Sequence, residues 1–528
     1  MRPKAAASIE PPARRPGPGP VADAVVAAAL GALQTLAYVH TALPGAWLLP
    51  LATLAWLVWR LDTVPPCRAA LLAACYATAW LVAGVWWLFI SMHRYGGLPA
   101  WMAATAVLLL AAALSGWLAL AAAAYARWRR GGAGDAWLFA ALWLLAELAR
   151  GVVFTGFPWL ASGYSQLDAP LAALAPWVGV YGIGAVLAFA AAALARLIRS
   201  RGRRWGPAAA ALALVAWVNW AGPGEHSRPA GEISVALLQT NVKQDEKFSA
   251  ERMPEMLAWV DNRLRLARAD LVVAPETAVP LLPFQLAEMA PGYWEGLRGH
   301  FGDAAAGRAA LVGVPLGDYE RGYTNSVAGL SSGGEYRYDK YHLVPFGEFI
   351  PIGFRWFTAM MNIPLGDFAR GVVDPPSFAV GAQRVAPNIC YEDLFGEELA
   401  RRFADPATAP TVFANVSNIG WFGDTIATVQ HLNISRMRAL EFQRPMIRAT
   451  NTGATAIVDH RGVVQAMLPP HTRGVLTGSV QGRDGITPFA WWAARAGLWP
   501  LALGALLVVL AAAWRERPPR RSTRLQGP

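Results

Sequence analysis

Ala386-Pro387-Asn388-Ile389-Cys390-Tyr391-Glu392-Asp393 sets a lone cysteine at the end of a β-rich run over 384–390, with two acids close behind it. Two other runs lead to a reactive side chain in the same way. Leu271-Val272-Val273-Ala274-Pro275-Glu276 puts a glutamate just past a short apolar segment of the kind buried inside a sheet. Tyr336-Arg337-Tyr338-Asp339-Lys340 puts a lysine late in a β-rich run over 335–343. Further strands are expected at 233–238, 309–314, 323–330, 410–416 and 446–458, with helices over 249–268 and 425–442. Strands interleaved with helices predict an α/β layered domain over about 232–481, and such folds gather reactive groups at strand ends.

Outside that domain the chain reads differently. Of its 528 residues 55% are hydrophobic and only 15% charged, against roughly 25% charged in ordinary soluble domains. Mean hydropathy is +0.31. Apolar runs fall near 21–41, 44–59, 69–90, 98–126, 137–154, 171–198 and 205–221, and an eighth lies at 491–514. A hydrocarbon core of ~30 Å takes about 20 helical residues, so the second run is short for a span. Residues 1–20 read as a disordered tail rich in Pro, Gly and Arg, and 515–528 as a basic tail. The fold class expected is thus a polytopic α-helical membrane bundle of about eight spans, carrying one α/β domain.

Charge fixes the orientation. Short segments on one side hold 19 Lys and Arg, and those on the other hold only Arg94 and Arg150. By the positive-inside rule both termini lie in the cytoplasm and the α/β domain lies outside. The net charge of +11 is accounted for by these loops. No basic face or motif points to nucleic acid. Cys67 and Cys75 sit in or beside apolar runs, and three scattered cysteines build neither a disulfide framework nor a zinc site. No metal or other cofactor is expected.

Glu276, Lys340 and Cys390 together make a chemical set. A free thiol has a pKa of about 8.5, so little of it is thiolate at neutral pH. A carboxylate can take the proton, and an ammonium can stabilise first the thiolate and then an oxyanion. Those are the parts that acyl transfer through a thioester needs. Taken singly, each residue has an ordinary reading as core, cap or solvated face.

The three segments, in this order and spacing, resemble the Glu-Lys-Cys triad of the nitrilase (carbon–nitrogen hydrolase) superfamily. With seven apolar runs before them and one after, the chain resembles the bacterial apolipoprotein N-acyltransferases. The likeness is dense in Lys-Tyr-His-Leu-Val-Pro-Phe-Gly-Glu-Phe-Ile-Pro (340–351) and continues in Asn-Ile-Cys-Tyr-Glu-Asp (388–393) and Trp-Phe-Gly-Asp (421–424). It extends through Arg-Met-Arg-Ala-Leu-Glu (436–441) and Arg-Ala-Thr-Asn-Thr-Gly (448–453). The resemblance implies an α-β-β-α sandwich, with Glu276 as general base, Lys340 as oxyanion-stabilising cation and Cys390 as acylated nucleophile. It implies supporting roles for Glu348 and Glu392, and an oxyanion-donating backbone N–H on Tyr391. A membrane phospholipid would give the acyl group. The α-amino group of an S-diacylglyceryl cysteine at the start of an apolipoprotein would receive it. One departure is visible, since Lys247 is followed by Phe248 where the family often has Trp.

Both substrates would be lipid-anchored. The apolar, aromatic stretch 349–361, with Trp356 and Phe357, and the shorter 279–284 are therefore candidate lipid-contacting arms, and Phe248 is a third candidate contact. Gly179, Gly182 and Gly184 suggest close helix packing, and Glu147 and Arg150 share a helix face and can pair. Two other functions fit parts of the pattern. A membrane-tethered amidase would share the triad and release the acyl group to water. A transporter with an outer binding domain would need charges deep in several spans, and few are present.

Overall fold

The computed structural model describes residues 19–203, 205–304, 307–351, 353 and 367–514. Seven apolar helices come first: α1 (Pro20–Gln34), α2 (Leu48–Leu61), α3 (Pro66–Val85), α4 (Ala100–Trp128), α5 (Gly134–Val152), α6 (Ala175–Arg199) and α7 (Gly206–Ala221). They fall on the seven apolar runs of the sequence. Among the described residues five helices are long and apolar enough to cross a membrane, and six if a bent C-terminal pair counts as one span. Leu48–Leu61 and Gly206–Val218 are shorter. The chain is therefore a membrane protein with several apolar helices.

Twelve described strands make two six-stranded sheets. They are β1 (Ser227–Gln239), β2 (Leu271–Val273), β3 (Ala309–Asp318), β4 (Gly322–Ser331), β5 (Gly334–Asp339) and β6 (Phe378–Val380). The rest are β7 (Gln383–Ile389), β8 (Val412–Ser417), β9 (Met446–Thr450), β10 (Ala456–Val458), β11 (Val464–Met467) and β12 (Gly474–Gly485). One sheet runs β12-β1-β2-β3-β4-β5 and the other β11-β10-β9-β8-β7-β6. At the centre of each, three strands are parallel: β1, β2 and β3 in the first, and β7, β8 and β9 in the second.

The layering comes from alternation along the strands. Val235, Leu237, Leu271, Val273 and Leu311 of the first sheet face Val385, Ile389, Val412 and Ala414 of the second, forming a core between the sheets. The intervening residues Ala236, Leu238, Val272 and Val312 point outward to α8 (Met253–Leu266) and the short helices α9 (Pro283–Met289) and α10 (Tyr293–Gly302). On the far side Ala386, Phe413 and Met446 meet α11 (Ala427–Phe442) and α12 (Pro488–Ala496). The result is an α-β-β-α sandwich. One face of it joins the membrane bundle, because Tyr391, Phe395, Ile434 and Met437 share an apolar cluster with Trp80, Trp87 and Trp159.

Several expectations change. The run at 335–343 pairs only to Asp339, because the Glu392 carboxylate takes the backbone N–H groups of Tyr341 and His342 and turns the chain inward. The run at 446–458 is an antiparallel pair, β9 and β10, broken across 451–455. Three strands, β6, β11 and β12, stand where the sequence predicts none. The expected helix at 491–514 is two, α12 and α13 (Trp499–Trp514), bent by 85° around Gly497, whose φ of +54° suits glycine. Its first half packs Phe489, Ala490 and Ala493 on the sandwich.

Candidate active site

Glu276 comes after β2, Lys340 after β5 and Cys390 after β7, so parallel strand ends deliver acid and thiol from opposite sheets to one place. Gly313 lets this happen, since a Cβ there would lie 2.2 Å from the Pro275 carbonyl oxygen. Cys390 itself has φ +52°, a left-handed turn between strand and helical turn that non-glycine residues adopt at a cost of about 1–3 kcal/mol.

The two carboxylates and the ammonium form one buried array. Lys340 Nζ is 2.9 Å from Glu348 Oε2 and 3.7 Å from Glu276 Oε1. Asn325 Nδ2 donates to both Glu276 Oε1 and Glu348 Oε1 at 2.7 Å. The backbone N–H of Asn418 donates to Glu276 Oε2 at 2.7 Å, and that of Val344 to Glu348 Oε2 at 2.8 Å. Burial draws Lys340 downward, but Glu348 and then Glu276 outweigh it and hold the ammonium above the usual lysine range. It is a fixed cation.

The thiol behaves in the opposite sense. Burial, then the Glu276 carboxylate, push Cys390 well above the ordinary thiol range, against Lys340 and a backbone hydrogen bond at Asn418. Cys390 as a residue keeps partial exposure. A neutral thiol beside an anchored carboxylate and a permanent cation can pass its proton to the carboxylate as sulfur attacks, and the cation can then face a developing oxyanion.

Glu392 braces the site. Its Oε1 accepts from the backbone N–H groups of Tyr341 (2.7 Å) and His342 (3.1 Å), and its Oε2 from Ile389 N (2.7 Å) and the Tyr338 hydroxyl (2.5 Å). Burial lifts this carboxyl above its ordinary range against those hydrogen bonds. Tyr391 packs on His342 and Phe395, and its hydroxyl donates to the Gly156 carbonyl at 3.0 Å. Phe248 is exposed, whereas its neighbour Lys247 is buried. Trp356 and Phe357 lie outside the described residues.

Four participants were not singled out by the sequence. Asn325 bridges the two acids from mid-strand, where an asparagine close to Val327 and Ala328 is an unfavourable choice and thus a signal. Asn418 supplies the N–H on Glu276. Lys247 Nζ donates to the Glu276 carbonyl and to Thr277 Oγ1, each at 3.0 Å, and burial lowers it to about 8. His431 Nε2 lies 3.1 Å from both the Cys390 carbonyl and Asp393 Oδ1, while Nδ1 faces Arg448 at 3.0 Å. Those partners assign the proton to Nε2.

Comparison with known proteins agrees with this arrangement. Residues 30–193 match the apolipoprotein N-acyltransferase N-terminal domain, and residues 234–485 match the carbon–nitrogen hydrolase family. An apolipoprotein N-acyltransferase of Verminephrobacter eiseniae is 56% identical over 480 residues, covering 86% of this chain and 89% of that protein. One of Ralstonia nicotianae is 47% identical over 512 residues, 94% of each chain. One of Pseudomonas syringae pv. tomato is 40% identical over 499 residues, 92% of this chain and 95% of the relative. With both halves matched and such identity sustained along nearly the whole length, the chain belongs to the apolipoprotein N-acyltransferase family.

Proposed function

We propose that this membrane enzyme N-acylates apolipoproteins through a thioester on Cys390, with a phospholipid as acyl donor. The observation that carries the mechanism is Lys340 Nζ held 2.9 Å from Glu348 and 3.7 Å from Glu276, with Cys390 coupled electrostatically to both Glu276 and Lys340. In the first half-reaction Cys390 Sγ attacks an ester carbonyl while Glu276 takes the thiol proton. Lys340 and the Tyr391 backbone N–H face the oxyanion. The intermediate collapses, the lysophospholipid alkoxide leaves with the proton from Glu276, and the thioester remains. In the second, the α-amine of an S-diacylglyceryl cysteine attacks the thioester and Glu276 takes its proton. Cys390 thiolate leaves and is reprotonated, and an amide is formed. Glu348 and Glu392 hold the array in place, and Phe248, Trp356 and Phe357 contact lipid.

The division proposed is a tail over 1–20, a membrane part over 21–221, a catalytic domain over 232–481, a last span over 491–514 and a basic tail over 515–528. Eight spans, in the inner membrane with both termini cytoplasmic, would set the catalytic domain on the periplasmic side. The 19-to-2 distribution of short-loop Lys and Arg supports this orientation.

Intact mass of the purified enzyme after exposure to phospholipid tests the reading. A fatty-acyl adduct is expected on the wild type and not on Cys390→Ala. A diacylglyceryl peptide should discharge it. No adduct under turnover conditions sinks the thioester, and discharge by water alone favours the tethered amidase.

A further inference from the structure

The nucleophile turn is gripped from the membrane bundle. After α5 the chain makes three successive left-handed residues, Phe154, Thr155 and Gly156, with φ of +56°, +72° and +83°. Such a turn needs to be held, and two buried side chains of α5 anchor the residues immediately beyond it. Arg150 donates to the carbonyls of Phe157 (3.3 Å) and Leu160 (3.1 Å). Glu147 accepts from the Ser162 backbone N–H (2.7 Å) and the Ser162 hydroxyl (2.8 Å). Their own contact, at 3.5 Å, is longer than any of these.

The segment so fixed reaches the Cys390 turn once directly and once through His431 of α11. The Gly156 carbonyl accepts the Tyr391 hydroxyl at 3.0 Å. The Trp159 ring stacks on His431, with centroids 5.7 Å apart and planes inclined by 22°. The Trp159 N–H meets Gln430 Oε1 at 2.9 Å, an oxygen that also receives Trp87 of the bundle. His431 in turn donates to the Cys390 carbonyl at 3.1 Å, and Asn415 Nδ2 reaches the same oxygen at 3.3 Å.

Peptide planarity gives these contacts a chemical meaning. The Cys390 C=O and the Tyr391 N–H belong to one rigid, planar unit. Pinning the carbonyl from one side, and Tyr391 at its hydroxyl, fixes the direction in which that N–H points. We propose that Glu147 and Arg150 are positioning residues for the reaction, aiming the Tyr391 backbone N–H at the oxyanion through the 156–162 segment. This rests on the assignment of Cys390 as nucleophile. A pair needed only to hold helices together would be served as well by apolar residues of similar size. Here the pair's hydrogen bonds go instead to a segment of the bundle that contacts the nucleophile turn.

The signature is loss of transition-state stabilisation without loss of binding or of thiol deprotonation. The test uses full-length enzyme in phospholipid micelles. Glu147→Gln/Arg150→Met removes both charges together, and Tyr391→Phe removes only the hydroxyl. Three readouts are taken: single-turnover thioester formation by intact mass, KM for phospholipid, and the pH profile of Cys390 alkylation by iodoacetamide. We expect thioester formation to fall at least tenfold in the double variant and about tenfold or less in Tyr391→Phe, with KM and the alkylation profile unchanged. Combining all three substitutions should cost less than the product of the two effects, because both act on one clamp. A folded double variant that loses less than tenfold overturns the inference, as does a raised KM or a shifted alkylation profile. If the double variant does not fold, Tyr391→Phe decides, and an unchanged rate overturns it. A wild type that forms no thioester at all fails the nucleophile assignment itself, which is a separable result.

Discussion

Glu392→Gln isolates how far one buried carboxylate holds the site together. Glu392 ties Tyr341 and His342, which come after Lys340, to Ile389, which precedes Cys390, and adds the Tyr338 hydroxyl. Each carboxylate oxygen receives two of the four donors. Glutamine replaces one oxygen by an NH2 group; placed toward Tyr341 and His342 it accepts from neither backbone N–H, and placed toward Ile389 it leaves that N–H unpaired while the Tyr338 hydroxyl turns to accept from it. In the better orientation one hydrogen bond to a charged acceptor is lost, at about 1.5–3 kcal/mol, and a second is exchanged for a neutral one at a cost of ~1 kcal/mol. The amide is spared the burial that lifts the Glu392 carboxyl, so the lower end of the sum, ~2.5 kcal/mol, is the expected loss. For a domain of this size each kcal/mol moves the melting temperature by about 2–4 °C, giving a fall of about 5–10 °C. Tyr338→Phe removes a single donor and should lose about half as much. Melting in detergent, followed by near-UV circular dichroism, reads stability, and intact mass reads thioester formation. A Glu392→Gln enzyme that melts within about 2 °C of wild type, the shift of a single kcal/mol or less, and acylates at the same rate would refute the bracing role.

Lys247→Met should change the dependence of stability on pH. Burial lowers Lys247 to about 8 from the usual 10.5, so between those values the unfolded chain holds more protons. Wild type therefore gains stability as pH rises through about 8 to 10.5, by ~3 kcal/mol in full, while Lys247→Met does not; parallel melting profiles from about pH 7 to 10 would count against this. Gly184→Ala puts a Cβ 2.4 Å from Ser162 Oγ and 2.7 Å from Glu147 Oε2, and should cost about 1–3 kcal/mol and slow acylation. Gly116→Ala has nothing within 4 Å and serves as the neutral comparison, so equal melting temperatures for the two variants would reject the packing argument.

Glu276, Lys340 and Cys390 stood out because each lies at or near the end of a β-rich run, where such folds expose side chains, but the roles proposed for them came from the resemblance to the nitrilase superfamily and not from the strand ends. The apolar runs were legible because a spanning helix is written in one contiguous stretch. The features that escaped depend on contacts between distant segments. Asn325 sits mid-strand in β4, and only the approach of Glu276 and Glu348 from other strands shows why an amide is there. β12 carries Gly474, Gly478, Gly482 and Gly485, so its composition reads as loop, and its pairing with β1 alone makes it a strand. Glu147 and Arg150 were legible as a pair three residues apart, but their grip on the segment after α5 was not. The bend at Gly497 was hidden because both halves of 491–514 are apolar, one packed on the sandwich and one on the membrane bundle.

In the proposed mechanism the opposite displacements of Lys340 and Cys390 divide the labour within the site. An ammonium held upward by two acids gives up no proton, so it serves as charge alone. A thiol held upward by burial keeps its proton until an electrophile arrives, and is spared side reactions in between. On that proposal the proton moves during attack, and to a group already in place. Glu276 is fixed by the Asn418 N–H, by Asn325 and, through its backbone, by Lys247. The Asn418 N–H donates to Glu276 Oε2 at 2.7 Å, so any shift of the 417–418 turn would misplace the proposed proton acceptor. Buried thiol, fixed cation and anchored base are useful only as a set, and each is costly to bury alone. That interdependence is why the surroundings of the triad, down to a loop of the membrane bundle, are so densely hydrogen-bonded.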